Sequence, residues 1–338
     1  MKVTKVKIAW NNNLSIYASE PFLKTVGDEY GWIGGFDDTD RLCCVLPYTI
    51  IQKNIFRMAR FRIETIPLIS NFDLKMEKVF LNHVLEYLRT LKVDIIIPAT
   101  TNTIFRVYPD GAIAAPYGTY IINLRNTEDA IWGNLSASHR RKVRLAIKKG
   151  VKIKSGLNDV NLTYKLIRDT FKRSGLGFMD LKKFIRYIRA FGENIKIFIA
   201  EYQGEVQSCA VIPFSNYGAY YVYGGSIYNP ITGSTNLMHW EAIQYFNKIG
   251  VKRYDFVGVR INPQKGSKQE GLKNYKERFG GDLIQGYIWK YSFKPLKFAV
   301  YSLAVKIIRG GDIVDHEHSK LKEFQNLNIK SLLSNCFK

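Results

Sequence analysis

The chain has 338 residues, of which 46% are hydrophobic and 23% charged, and a formal net charge of +21. This composition excludes a disordered chain and leaves room for two packed domains at roughly 100–200 residues each. The charge excess makes a field that draws polyanions, whether nucleic acid, anionic lipid headgroups or phosphorylated substrates.

Met1 to Trp10 alternates lysines with apolar residues and reads as a strand over Lys5–Trp10, not as a secretory leader. No run approaches the ~20 apolar residues of a membrane span. The best candidate, Phe298 to Val305, is short and flanked by Lys294, Lys297 and Lys306. Cys43, Cys44, Cys209 and Cys336 form no CxxC pair and read as reduced core residues. The expectation is a cytoplasmic protein, with peripheral contact at the inner face of an anionic membrane as its only approach to lipid.

Taken in order, Pro21–Tyr30 and Met76–Leu91 carry helical patterning, while Leu42–Pro47, Val93–Pro98 and Tyr120–Leu124 read as strands. Ser136 or Ser138 caps a basic helix bearing Arg140, Arg141, Lys142, Arg144, Lys148 and Lys149 without an acid. Its apolar seam is expected at Val143, Ile147 and Val151, and Gly150 stops it. Val160–Ser174 and Leu181–Phe191 read as helices, and Ile195–Tyr202 and Val206–Ser215 as a hairpin turning at Gln203-Gly204. A strand at Tyr220–Gly224, a helix at Leu237–Ile249, a strand at Arg253–Val257 and a tail helix at Leu296–Ile308 complete the reading. The order implies a mixed α/β class with largely antiparallel sheets. The expected units are residues 1–130, 131–290 and a helical tail over 291–338.

Two segments together resemble the FemABX family of peptidoglycan-bridge aminoacyltransferases and its GNAT-like relatives. One is Trp132-Gly-Asn-Leu-Ser-Ala-Ser-His-Arg-Arg-Lys-Val-Arg-Leu-Ala-Ile-Lys-Lys-Gly150, similar to that family's helix of the type Leu-Ser…Arg-x-x-Ile-Arg-x-Ala-x-x-x-Gly. The other runs from Tyr220-Tyr-Val-Tyr-Gly-Gly225 through Tyr254-Asp-Phe256 to Tyr275-Lys-Glu-Arg-Phe-Gly-Gly281. The resemblance covers roughly residues 130–290. It implies two GNAT-like domains, the first degenerate, and transfer of an aminoacyl group from aminoacyl-tRNA to an amine of an envelope precursor. The first half departs from the family, showing Ala115-Pro-Tyr-Gly118 in place of a Gly-Pro substrate loop and lacking the long helical arm.

By this resemblance Lys276 stabilises the oxyanion, with Tyr275 lining the site and Arg173 at a substrate phosphate. Read from the residues alone, Lys276 is also consistent with a solvated helix lysine. Asp255, at a strand end, suits a base or orienting acid, or a partner of backbone amides. Tyr221 and Tyr223 alternate on one strand and would reach a substrate or fill the core. Arg140, Arg141 and Arg144 form a basic patch suited to tRNA phosphates, since six cations in ten positions repel one another without an anion.

No metal or held cofactor is required by this chemistry. Asp315-His316-Glu317-His318 is a crowded loop cluster rather than a metal site. The loop Tyr228-Asn-Pro-Ile-Thr-Gly-Ser-Thr-Asn236 lacks the coenzyme A pyrophosphate motif, although Gly233 and Ser234 could take one phosphate. Two rival readings remain open: an acyl-CoA-dependent N-acyltransferase acting on an amino sugar or polysaccharide precursor, and a non-catalytic protein binding RNA or anionic lipid. The tail helix is expected to pack on the body, with lying on a membrane as the alternative.

Overall fold

The computed structural model describes residues 1–157 and 159–320. The first half runs β1 (Lys2–Val6), α1 (Glu20–Val26), β2 (Glu29–Phe36), β3 (Leu42–Lys53), β4 (Phe56–Phe61), β5 (Ile66–Pro67), α2 (Leu74–Thr90), β6 (Ile95–Ile96) and β7 (Ile113–Asn123). Next come α3 (Glu128–Asn134), α4 (Ala137–Lys148), β8 (Lys152–Gly156), α5 (Val160–Arg173), α6 (Leu181–Arg189), β9 (Ile195–Tyr202) and β10 (Glu205–Ser215). The remainder is β11 (Gly218–Tyr220), β12 (Tyr223–Ser226), α7 (Ser234–Lys248), β13 (Arg253–Asp255), α8 (Lys268–Glu277), β14 (Asp282–Ser292) and α9 (Pro295–Arg309).

Hydrogen bonding links the strands into one sheet in the order β1-β2-β3-β4-β6-β14-β7-β13-β11-β10-β9-β8, with β5 on β3 and β12 on β10. Among the described residues only β4–β6 and β11–β13 run parallel. The mixed α/β, largely antiparallel class read from the sequence is the one adopted. Late strand β14 pairs with both β6 and β7, so the two halves are joined through backbone ladders.

Three buried clusters explain why the elements stack this way. Helix α2 covers β2–β4, β6 and β14 with Phe80, Leu81, Val84 and Leu88. Helices α4 and α7 cover one face of the second half through Val143, Ala146, Leu237, Ile243 and Phe246. The opposite face joins Ile167, Phe184 and Ile188 to Tyr17, Phe22, Trp32 and Ile63 from the first half, so the halves share a core. Burial of this kind stabilises by about 25 cal/mol per Å² of apolar surface.

Several local expectations shift. Helix α1 stops at Val26, and Tyr30 lies in β2; a Cβ at Gly27 would come within 2.6 Å of Thr49 Cβ, so glycine lets the chain turn there onto β3. The first strand is Lys2–Val6, paired with Trp32–Phe36, rather than Lys5–Trp10. Only Ile95–Ile96 of Val93–Pro98 is strand. Helix α4 is capped by Ser136, whose hydroxyl accepts from the His139 amide, but it buries His139, Val143 and Ala146. Ile147, expected in the seam, is 57% exposed. Tyr220–Gly224 is not one strand: β11 ends at Tyr220 and β12 begins at Tyr223. Residues 313–320 are helical, so Asp315–His318 lies in a helix rather than a loop. Part of the 291–338 tail, residues 321–338 with Cys336, lies outside the described residues.

Candidate active site

The site grows from the corner that follows β13. Asp255 Oδ1 accepts from the Thr119 hydroxyl at 2.6 Å and from the Val257 amide at 2.7 Å. Phe256 and Val259 bond to Tyr120 and Gly118 on β7, so the two residues between them are pushed out of the ladder. Both adopt left-handed backbone, Val257 at φ 51° and Gly258 at φ 58°. For a β-branched residue this costs about 1–3 kcal/mol and persists only where neighbours enforce it. Here the Asp255 carboxylate holds the Val257 amide, and burial raises the pKa of that acid against the opposing pull of Arg253, Thr119, the Val257 amide and Lys276.

The displaced carbonyls of Val257 and Gly258 both accept from Lys276 Nζ, the latter at 2.7 Å. Lys276 sits near the end of α8, a helix fixed by Ser267, whose hydroxyl accepts from the Glu270 amide, and by Glu270, which reaches back to the Gly266 amide. Burial lowers the Lys276 pKa to about 8, while the Asp255 charge opposes the fall. The ammonium is therefore a partly desolvated cation on strained backbone, not a solvated helix lysine. Tyr275 beside it turns inward; its hydroxyl is buried without a partner among the described residues, and its ring lies 5.2 Å from the His139 ring.

Tyr221 and Tyr223 part company at the strand break. The Tyr221 amide bonds to the Asp255 carbonyl, keeping it with β13, while Tyr223 starts β12 against Val211. The Tyr221 ring meets the His239 ring at 4.4 Å, and its hydroxyl occupies the space where a side chain at residue 224 would begin, 1.8 Å from an ideal Cβ. Glycine at 224 is thus required for the tyrosine to lie there. Tyr223 instead packs among Phe178, Phe184 and Tyr187. So Lys276, Asp255, Tyr275 and Tyr221 are brought together, and Tyr223 faces the other half. Arg173 bonds the Ser226 carbonyl and Thr170 Oγ1, tying α5 to the end of β12.

The basic residues of α4 divide by role. Arg140 caps α3, donating to the carbonyls of Gly133 at 2.6 Å and Leu135 at 2.5 Å. Arg144 stacks on the Trp132 ring at 5.6 Å, and Arg141 is exposed. Lys142 lines a cavity of about 260 Å³ with Gly233, Ser234, Asn236 and Tyr275. Gly233, at φ 89°, starts α7 without a side-chain cap, and a Cβ there would sit 2.1 Å from the Lys142 carbonyl. Among the described residues Ser234 Oγ and Asn236 Nδ2 are buried without partners at this helix N-terminus, where free amides and the helix dipole favour an anion.

Four features were not foreseen. His139 and His239 are buried, and burial lowers their pKa values to about 4 and about 3, keeping both neutral. His239 Nδ1 meets the Tyr254 hydroxyl at 2.9 Å. Glu64 reaches Arg253 at 3.5 Å with its second oxygen buried and unpartnered. Arg62 is 6% exposed and makes no ion pair among the described residues; its Nε donates to Thr49 Oγ1 and its Nη2 to the Val26 carbonyl. The one signal for Arg62 was the Arg57, Arg60, Arg62 series within Phe56-Arg-Met-Ala-Arg-Phe-Arg62, unusual in a buried strand. Among the described residues no group of three or more His, Cys, Asp or Glu could hold a metal. Asp315 pairs with Lys290, and Glu317 with Arg260 and Lys320.

Comparison with known proteins follows the same lines. The solved structure of FemX superimposes with a TM-score of 0.63 at 15% identity, covering 89% of this chain and 99% of that one. The C-terminal domain of an Agrobacterium fabrum protein described as a lysylphosphatidylglycerol synthetase gives 0.52 at 12% identity, covering 85% and 91%. A conserved protein of unknown function from Bacteroides thetaiotaomicron gives 0.51 at 10% identity, covering 82% and 90%. No curated protein sequence matches the chain. The fold is thus the FemX fold. Within it, residues 111–208, from just before β7 into β10, match the FemAB family, so the family resemblance read from the sequence holds.

Proposed function

We propose that the chain is an acyltransferase that moves an aminoacyl group from aminoacyl-tRNA to an amine of a cell-envelope precursor of the peptidoglycan-bridge kind. The observation that carries this reading is the Lys276 ammonium on the left-handed Val257–Gly258 corner, in a chain whose residues 111–208 match the FemAB family. The acceptor amine attacks the ester carbonyl, forming the C–N bond and a tetrahedral oxyanion. Lys276 stabilises that charge. The C–O bond to the ribose then breaks, and the proton lost by the amine ends on the leaving hydroxyl.

Asp255 is a positioning residue: it holds the corner and keeps Lys276 charged. Donor phosphate is assigned to the start of α7, where Ser234, Asn236 and Lys142 converge, with Arg141 and Arg144 exposed on the same helix as Lys142. Arg62, a buried cation with no carboxylate partner among the described residues, is assigned to an anionic group of the acceptor, beside Tyr223. The α7 cradle would equally accept the phosphate of an acyl-CoA, which keeps the N-acyltransferase reading as the second one. Incubation with labelled aminoacyl-tRNAs or labelled acyl-CoAs, and nucleotide-linked muropeptide as acceptor, separates the two. Label from tRNA alone supports the first reading, and label from acyl-CoA alone replaces it with the second.

A further inference from the structure

Helix α9 is apolar on two opposite faces. On the inner face Phe298 and Tyr301 pack against Met58, Ile95 and Ile97. Lys297 fastens the helix at 2.7 Å to both Asp94 and the Ile55 carbonyl. On the outer face Leu296, Val300, Leu303 and Ile307 follow a four-three-four spacing, which places them on one narrow stripe. They are 86%, 55%, 59% and 75% exposed.

A second element adds an exposed apolar side chain beside the helix. Ile55, at the tip of the β3–β4 hairpin, is 63% exposed, and its neighbour Phe56 stands edge-on to Tyr301 with ring centroids 6.0 Å apart. Isolated exposed leucines are ordinary on a folded surface; four exposed apolar side chains aligned along one helix face are not. Around it lie the exposed Lys53, Lys294 and Lys306, whereas Asp94 is buried against Lys297.

We propose that this face seats the protein on an anionic bilayer surface. The stripe and Ile55 enter the boundary between headgroups and acyl chains, and the lysines meet lipid phosphates. Fifteen residues span about 22 Å as a helix, too short to cross a bilayer but suited to lying in its plane. A second copy is the poorer occupant, because joining two such faces would bring the lysines of two chains with net charge +21 together. This inference does not depend on the acyl-transfer reading.

The test is co-sedimentation of the full chain with phosphatidylcholine vesicles, with and without phosphatidylglycerol. Binding is expected only with phosphatidylglycerol and should weaken with salt. It should fall at least ~10-fold in the triple variant Leu296→Ser, Leu303→Ser, Ile307→Ser. Because all three side chains are exposed, the urea unfolding midpoint of the variant should match the parent. Absence of binding by the parent, or equal binding by the variant, overturns the proposal. A parent dimer dissolved by the triple substitution would assign the face to a second copy instead. Binding by a chain ending at Lys320 but not by the full chain would show that residues 321–338 cover it, and the proposal would fall.

Discussion

Lys276 Nζ and the Gly258 carbonyl oxygen stand 2.7 Å apart, joining the end of α8 to a corner whose backbone is left-handed at two successive residues. Carbonyl dipoles fix the ammonium in place and leave its remaining donor capacity for a developing oxyanion. Lys276→Ala should therefore lower kcat for acyl transfer by about 10²–10³ with little change in donor KM. Lys276→Arg should retain part of the rate. Steady-state kinetics on both variants checks this.

The pH profile follows from the same environment. The charged form of Lys276 is the one proposed to act, and burial brings its pKa to about 8. On top of the rise that deprotonation of the acceptor amine gives, the parent should lose rate as pH rises through that value, and Lys276→Arg should not show that loss. Asp255 raises the Lys276 pKa, so Asp255→Asn should move the falling limb to lower pH. Identical pH profiles for the parent and Lys276→Arg would contradict a working ammonium at Lys276.

Asp255 also carries structure. Asp255→Ala removes the acceptor of a buried amide at a strained valine and should cost about 1–3 kcal/mol in urea unfolding, whereas Asp255→Asn keeps an acceptor and should cost less.

Much of this was legible in the sequence where the signal was local. The cap at Ser136, the turn at Gln203-Gly204 and strand Ile195–Tyr202 depend on neighbours in the chain, and they fall within a residue or two of expectation. What the sequence did not disclose depends on distant partners. Strand β14 contains a glycine and mixed polarity and becomes a strand through pairing with β7. The break between Tyr220 and Tyr223 arises because β11 is held between β13 and β10, while β12 pairs with β10 farther along that strand. Lys276 and Asp255 were singled out by family resemblance and strand position, but the link between them runs through the Val257 corner, and no periodicity encodes it.

The buried histidines predict acid sensitivity. His139 and His239 have folded pKa values of about 4 and 3, below the ordinary 6.5, so the unfolded chain takes up protons first. Their stabilising effect is complete above pH 6.5 and is lost as pH falls toward 4, by up to about 1.4 kcal/mol per pH unit for each. Urea unfolding across that range should show the slope, and His239→Gln should flatten it.

Arg62 separates folding from binding. It is buried without a carboxylate partner, so Arg62→Met should leave the unfolding midpoint nearly unchanged or raise it. The same change should raise acceptor KM by about tenfold, as expected for a lost charge-assisted contact.

The most direct test of the central claim is single-turnover transfer from aminoacyl-tRNA to nucleotide-linked muropeptide, comparing the parent with Lys276→Ala at saturating donor. The account predicts that parent protein transfers the label and that the variant binds the same tRNA but transfers about 10²–10³ times more slowly. Transfer by the variant at the parent rate would contradict the assignment of Lys276 to the oxyanion.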